Sequence, residues 1–281
     1  MEKTGIIWTE KTWNPVTGCV KVSKGCKFCY AETIANKYKG HKAFPVGFDL
    51  QYREHKLKDP LKWKEPSLVF VNSMSDMFWD KISDDYRNKI VDIIEQTPQH
   101  EYQVLTKRPA NMLKYSKYRK LPFNFWAGVT IENVKSLERL EIIKKVKSEI
   151  RFISFEPLIE ELPNMDLTGI HWVITGGESG THLWDQIIRK ERGMVIYEDK
   201  KWKPDPNKIH WIRKIRDNCR EYGTKFFHKQ WGGSYPEAAG RMLDGETYNE
   251  MPKYPGMKTE INNEYLKSLE KQKEITFEMF Q

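Results

Sequence analysis

Six short runs of Val, Ile, Phe and Trp, most of them followed by a segment of helical period, constrain this 281-residue chain more than any other feature. The runs are Leu68–Val71 (LVFV), Tyr102–Leu105 (YQVL), Phe125–Val129 (FWAGV), Phe152–Phe155 (FISF), His171–Thr175 (HWVIT) and Lys225–Phe227 (KFF); Ile6–Trp8 reads as a further strand ahead of them. Short apolar strands that alternate with helices suit a parallel sheet joined by crossover helices.

The helical segments carry their own signals. Ala31, Ile34, Ala35 and Tyr38 recur at helical spacing and define one face to be buried. Ser83 followed by Asp84 and Asp85 reads as an N-cap with acids in the first turn. Pro109 and Pro206 suit first helical positions, and Gly223 ends a helix through Ile209, Ile212, Ile215 and Cys219. Val134, Leu137, Leu140 and Ile143 mark another helix.

Length alone allows one or two domains. Six or seven strand–helix units exceed a small doubly wound domain, so the expected fold is α/β, a partial (β/α) barrel in one domain over residues 1–240. Residues 190–205 are charged and interrupt the pattern, which reads as an insertion or flexible loop. Residues 241–281 read as a C-terminal extension packing on or flanking the barrel, with a mixed-charge helix candidate at Asn263–Lys273.

In such barrels the chemistry sits where the strands end. Those positions hold Asn72, Ser73, Ser75 and Asp76; Thr106, Lys107 and Arg108; Thr130, Glu132 and Asn133; Glu156; Gly176, Gly177 and Glu178; and His228, Lys229, Gln230 and Trp231. Loops are polar in any protein, so the repetition around the sheet carries more weight than any single member.

Three of the four cysteines crowd into GCVKVSKGCKFCYAE, residues 18–32, with spacing C-x6-C-x2-C. Gly18 and Gly25 precede two of them, and Lys21, Lys24 and Lys27 surround them, a setting that favours thiolates. A clustered trio with one distant cysteine is no disulfide framework and points to metal binding or catalysis. Structural zinc normally takes four ligands. Here Cys219 shares an apolar helix face with Ile212 and Ile215 and reads as a buried small hydrophobe, while His41 has only its proximity to recommend it. Three cysteines without an evident fourth also fit a 4Fe-4S cluster with one iron open.

Lys and Arg (47) exceed Asp and Glu (39), leaving a net charge of +8, which suits a polyanionic partner without proving one. No run of apolar residues is long enough to span a membrane. The N-terminal residues carry no secretory or organelle address, so the expected location is the cytoplasm.

The cysteine trio after the first strand, with an aromatic residue before its last member (Cys26-Lys27-Phe28-Cys29), resembles the radical S-adenosylmethionine (SAM) superfamily. The wider set of phrases, IIWTEKTWNPVTGC, GCKFCYAE, VNSMSDMF, LTKRP, WAGVTIEN, FEPL, GGESG and FFHKQWGG, resembles a phage and prokaryotic family of three-Cys-motif proteins over about Ile6 to Met251. The resemblance implies that Cys19, Cys26 and Cys29 hold a 4Fe-4S cluster whose open iron takes SAM's amine and carboxylate. It further implies that a reductant such as flavodoxin or ferredoxin drives cleavage of SAM to methionine and a 5'-deoxyadenosyl radical that abstracts hydrogen from substrate.

It also implies that the Phe28 backbone meets the adenine. By position, Ser73, Ser75 and Asp76 are candidates for SAM's amine, Lys107 or Arg108 for its carboxylate, and Thr130 and Glu132 for the ribose. Glu156 and Glu178, both expected to face the cavity, and His228, which suits a core position as readily as a catalytic acid, are the candidate catalytic side chains. Two departures stand out: the six-residue gap between the first two cysteines is wider than the superfamily's, and the Gly-Gly-Glu expected after the second strand is absent there. Gly176-Gly177-Glu178 follows a later strand and does not inherit that role.

The leading expectation is a radical SAM enzyme that modifies or repairs nucleic acid. Aromatic residues among lysines, KYSKYRK at 114–120 and KKWKPDP at 200–206, suit phosphate contact with base stacking and equally suit a solvated surface. A peptide or small metabolite is the second substrate class. The third reading is a non-catalytic nucleic-acid-binding or regulatory protein with a structural zinc or redox-sensing cluster.

Overall fold

A computed structural model describes residues 4–257. Seven strands form one sheet: β1 (Lys11–Trp13), β2 (Leu68–Val71), β3 (Glu101–Thr106), β4 (Phe125–Thr130), β5 (Arg151–Phe155), β6 (Trp172–Gly176) and β7 (Lys225–Gln230). They lie side by side in sequence order, and every neighbouring pair is parallel. The crossovers carry α2 (Asp84–Gln96), α3 (Pro109–Ser116), α4 (Glu138–Ile143) and α6 (Ile209–Glu221); α1 (Tyr30–Lys37) follows the cysteines and α5 (Gln186–Arg192) follows β6. The sheet curls into a half-barrel, and no ladder joins β1 to β7 among the described residues.

Side chains alternate across each strand, so one sheet supplies two cores. Val69 and Val71, Tyr102 and Val104, Ala127 and Val129, Ile153 and Phe155, and Val173 point outward to the helices. Leu68 and Phe70, Trp126, Phe152, Trp172 and Ile174, and Phe227 point inward and fill the half-barrel with aromatic rings. Trp172 meets Trp8, Trp126, Phe152 and Phe227 at centroid distances of 5.6–6.1 Å, within the edge-to-face and tilted range. Burial of each such ring contributes on the order of 2–3 kcal/mol.

All six apolar runs are strands of this sheet, but Ile6–Trp8 is not: the first strand is Lys11–Trp13. Trp8 instead plugs the interior, packed on Phe70 of β2 at 4.7 Å and on Trp172 of β6, while its carbonyl accepts from the buried Gln103 side chain. Its apolarity reflects burial without strand pairing.

Ser83 caps α2 by accepting from the Tyr86 N–H, and Pro109 opens α3. Pro206 does not open a helix, because α6 begins at Ile209. In α1 only Ala31 and Ala35 are buried, with Ile34 and Tyr38 exposed. Residues 190–205 are not a featureless loop. They include the end of α5 and a hairpin of Val195–Glu198 against Lys201–Pro204, turned at Asp199 and Lys200, both with positive φ.

Residues 241–257 run against the outer edge of β7. The Tyr248 carbonyl accepts from His228 N–H and the Phe226 carbonyl from Glu250 N–H, which covers part of an otherwise open sheet edge. Asn263–Lys273 lies outside the described residues. Among the described residues no helix is long and apolar enough to cross a membrane.

Candidate functional site

The inward column of each strand ends in polar residues at the C-terminal mouth. Phe152 is followed two residues on by Ser154 and then Glu156, Trp126 by Gly128 and Thr130, and Phe227 by Lys229. There the chain encloses a cavity of about 280 Å³ whose floor includes Trp8, Phe70 and Leu105 and whose rim includes Cys19, Cys26 and Cys29. Thr130, Ser154, Glu156 and Lys229 line the same space.

The cysteine loop is stitched to the turn after β2. Gly18 sits at φ +90°, and a side chain there would come within 2.2 Å of the Asp49 carbonyl oxygen, so only glycine fits. Its N–H donates to the Met74 carbonyl at 3.0 Å, and its own carbonyl accepts from Ser75 Oγ at 2.6 Å. One 3-10 turn, Lys24–Cys26, brings the chain round, and Cys29 stands at the N-cap of α1. Gly25 packs over the Glu132 carboxylate, where a Cβ would stand 3.0–3.1 Å from the side chain. The Tyr30 hydroxyl donates to the Ser73 carbonyl at 2.6 Å.

Burial pushes the Cys19 thiol up, with Asp76 adding to the rise and Arg108 opposing it. Burial likewise pushes Cys29 up, against the N–H groups of Glu32 and Ala31 and the charge of Lys107. Without metal both are therefore thiols at neutral pH, and ligation releases their protons. Among the described residues no three His, Cys, Asp or Glu side chains are already gathered around a single ion point. Cys219, fully buried in α6, and His41, in the turn after α1, both lie away from the cavity, so neither fourth zinc ligand raised by the sequence is at hand.

Asp76, read from sequence as a candidate for SAM's amine, is already committed. Its Oδ1 accepts from Thr106 Oγ1 at 2.7 Å and Phe78 N–H at 3.0 Å; its Oδ2 accepts from Lys107 N–H at 3.0 Å and Arg108 Nη1 at 2.9 Å. Arg108 and Asp76 thus form a salt bridge in which each side chain is only 9% exposed. Ser75's hydroxyl is given to Gly18, whereas Ser73's meets only Asn14. Lys107 lines the cavity and has no carboxylate partner among the described residues.

Glu132 and His228 do not reach the cavity. Glu132 is fully buried and bonded by Arg139 Nη1 at 2.8 Å, which removes it from ribose contact. His228 is fully buried, shares a 2.9 Å hydrogen bond with Thr175 Oγ1 and packs on Trp231 at 4.6 Å. Burial lowers its pKa to about 3, so it is a neutral core histidine and not a poised acid.

Glu178 reaches the cavity wall, yet both carboxylate oxygens are taken by Arg192, at 2.6 and 2.7 Å. His182 Nε2 stands 3.8 Å from the same carboxylate, and its ring stacks on Phe28 at 3.9 Å and 6°. Arg192 lies 5.3 Å from the Phe28 ring. This cluster ties the loop after β1 to the loop after β6 across the mouth. Arg192 and His182 lie in segments with no local signal of their own, and only the fold brings them to Phe28.

Removing the cation from the Glu178 pair leaves a buried carboxylate alone. Arg192→Met is expected to cost about 3–5 kcal/mol, seen as a lowered Tm, and Glu178→Gln in the same chain to restore most of it.

Glu156 is the predicted catalytic side chain that stays accessible. Lys229 Nζ lies 3.1 Å from its Oε1, and Ser154 Oγ donates to Oε2 at 3.1 Å. The pair reaches across β6 because Gly176 carries no side chain: a Cβ there would stand 2.6 Å from Glu156 Oε1.

Fold and site together define a parallel half-barrel α/β protein with a thiol-rimmed cavity at the C-terminal ends of its strands. The chain belongs to the family described as "Protein of unknown function (DUF5131)", whose profile matches residues 3–189 and 201–252. No curated protein matched the sequence. Solved structures of spore photoproduct lyase are similar in chain path. A mutant form aligns at TM-score 0.49 and 12% identity over 81% of this chain and 76% of its own; a complex with dinucleoside spore photoproduct aligns at 0.46 and 11%, over 78% and 74%.

Proposed function

We propose that this protein is a radical SAM enzyme in which Cys19, Cys26 and Cys29 hold a 4Fe-4S cluster. The observation that carries the reading is that all three thiols rim one cavity at the mouth of a parallel half-barrel. The donor set fits the group: three soft ligands without a fourth protein ligand leave one iron for SAM, whereas zinc would require closure. When bound, the cluster and SAM supply a 5'-deoxyadenosyl radical able to abstract hydrogen from substrate.

The chain's own residues bind and enclose. Phe28, its ring stacked on His182, lines the cavity and is the residue whose backbone would meet adenine. Lys107 is the cation left to pair with SAM's carboxylate, since Arg108 is committed to Asp76. Ser73 takes the amine, and the Thr130 hydroxyl takes the ribose. The apolar floor of Trp8, Phe70 and Leu105 excludes water from the radical's path. The Glu156–Lys229 pair, at the ends of β5 and β7, offers one acceptor and one donor to the substrate.

Nucleic acid is the proposed substrate class, supported by the +8 net charge. Oxygen-free purification is expected to give brown protein with about four irons per chain, which forms 5'-deoxyadenosine when reduced with SAM. Binding to single-stranded DNA or RNA is expected to weaken steeply with salt. Colourless protein carrying one zinc overturns the cluster; salt-independent binding overturns the nucleic-acid assignment alone.

A further inference from the structure

The six residues between Cys19 and Cys26 make a long arm for two ligands of one group, and Val20 and Val22 within it are 49% and 45% exposed. Among the described residues, one side-chain hydrogen bond reaches the arm from the barrel strand ends. Arg108, at the end of β3, donates from Nη2 to the Val20 carbonyl at 3.1 Å and from Nη1 to Asp76 at 2.9 Å, and Nη1 also lies 3.8 Å from Cys19 Sγ. Asp76 is fixed in turn by Thr106 Oγ1 and by the N–H groups of Phe78 and Lys107. The guanidinium is therefore aimed by a carboxylate that cannot itself move.

We infer that Arg108 is a positioning residue of the cluster site: its fork sets the path of the long arm, and its charge lies beside the Cys19 ligand. The inference rests on the cluster reading. The two parts of the role separate chemically. The fork is needed for the arm, because one side chain must meet the Asp76 carboxylate and the Val20 carbonyl together; the charge alone is needed beside sulfur. A fixed cation next to a thiolate ligand favours the more negative, reduced cluster and so raises its potential.

The test compares wild type, Arg108→Met and Arg108→Lys. Arg108→Met is expected to retain at most a third of the wild-type iron per chain, with the residual cluster at a lower midpoint potential. Arg108→Lys is expected to recover the potential but not the iron. In metal-free protein, trypsin cleavage after Lys21 and Lys24 is expected to be several-fold faster in both variants than in wild type. Wild-type iron and potential in Arg108→Met overturn the inference with the cluster reading intact. Iron-free wild type overturns the cluster reading and the charge role with it, and the cleavage rates still decide whether Arg108 holds the arm: equal rates in all three proteins overturn that as well.

Discussion

Cys26→Ala protein purified without oxygen is expected to lose its iron and its brown colour, and Cys19→Ala and Cys29→Ala to do the same. Each removes one of the three proposed ligands, and no other cysteine stands at the cavity to replace it. Because burial raises the Cys19 and Cys29 thiols, the bound group must itself drive their deprotonation, and two ligands do not suffice to hold it. Formation of 5'-deoxyadenosine from SAM falls to background in the same variants. Cys219→Ala is the control: Cys219 is fully buried in α6, so the change costs about 1 kcal/mol of stability and leaves iron unchanged. Iron retained in Cys26→Ala, or lost in Cys219→Ala, would contradict the assignment.

A second large effect lies at the opposite end of the half-barrel. Glu101, at the start of β3, is fully buried, with Oε2 accepting from Trp126 Nε1 at 2.9 Å and Tyr254 Oη at 2.8 Å. Burial pushes its pKa up to about 7, against the lowering effect of those two donors. The unfolded chain titrates near the ordinary glutamate value, so between these pH values the folded state holds more protons. Stability from this group is therefore full below the unfolded value, falls as pH rises through about 7 and is flat beyond. The total fall is about 3 kcal/mol. Glu101→Gln keeps a neutral acceptor for both donors and is expected to flatten this part of the curve, leaving the variant the more stable protein at pH 8. Denaturant unfolding of both proteins from pH 4 to 9 reads the difference directly; parallel curves would refute it.

Most of the sheet was legible because its strands are apolar on both faces, a pattern that loops and surface helices do not produce. The element misread, Ile6–Trp8, fails for the same reason: a plug inside a half-barrel is as apolar as a strand, and burial is what the residues record. The mouth was legible as a set of strand ends, since an inward column that begins with Phe152 must continue through Ser154 to Glu156.

What the sequence left unread was which of those polar groups already had partners. Asp76 and Arg108 are 32 residues apart in sequence, Glu178 and Arg192 are 14 apart, and Glu132 and Arg139 are 7 apart. Each residue carried the right chemistry for a ligand contact until the fold supplied a counterion. Ser73, Lys107 and Thr130 line the cavity with no such counterion, and Glu156 lines it with its partner Lys229 at the cavity too.

The stacked rings of Phe28 and His182 join the loop after β1 to the loop after β6 across the mouth of an open sheet. Such a stack contributes about 1 kcal/mol beyond simple burial, a force that ordinary thermal motion can overcome. A sealed cylinder admits only what can be lowered along its axis. A trough has an open flank as well, and here the Phe28–His182 contact spans the mouth on that side, above the Trp8 plug that packs on Trp172.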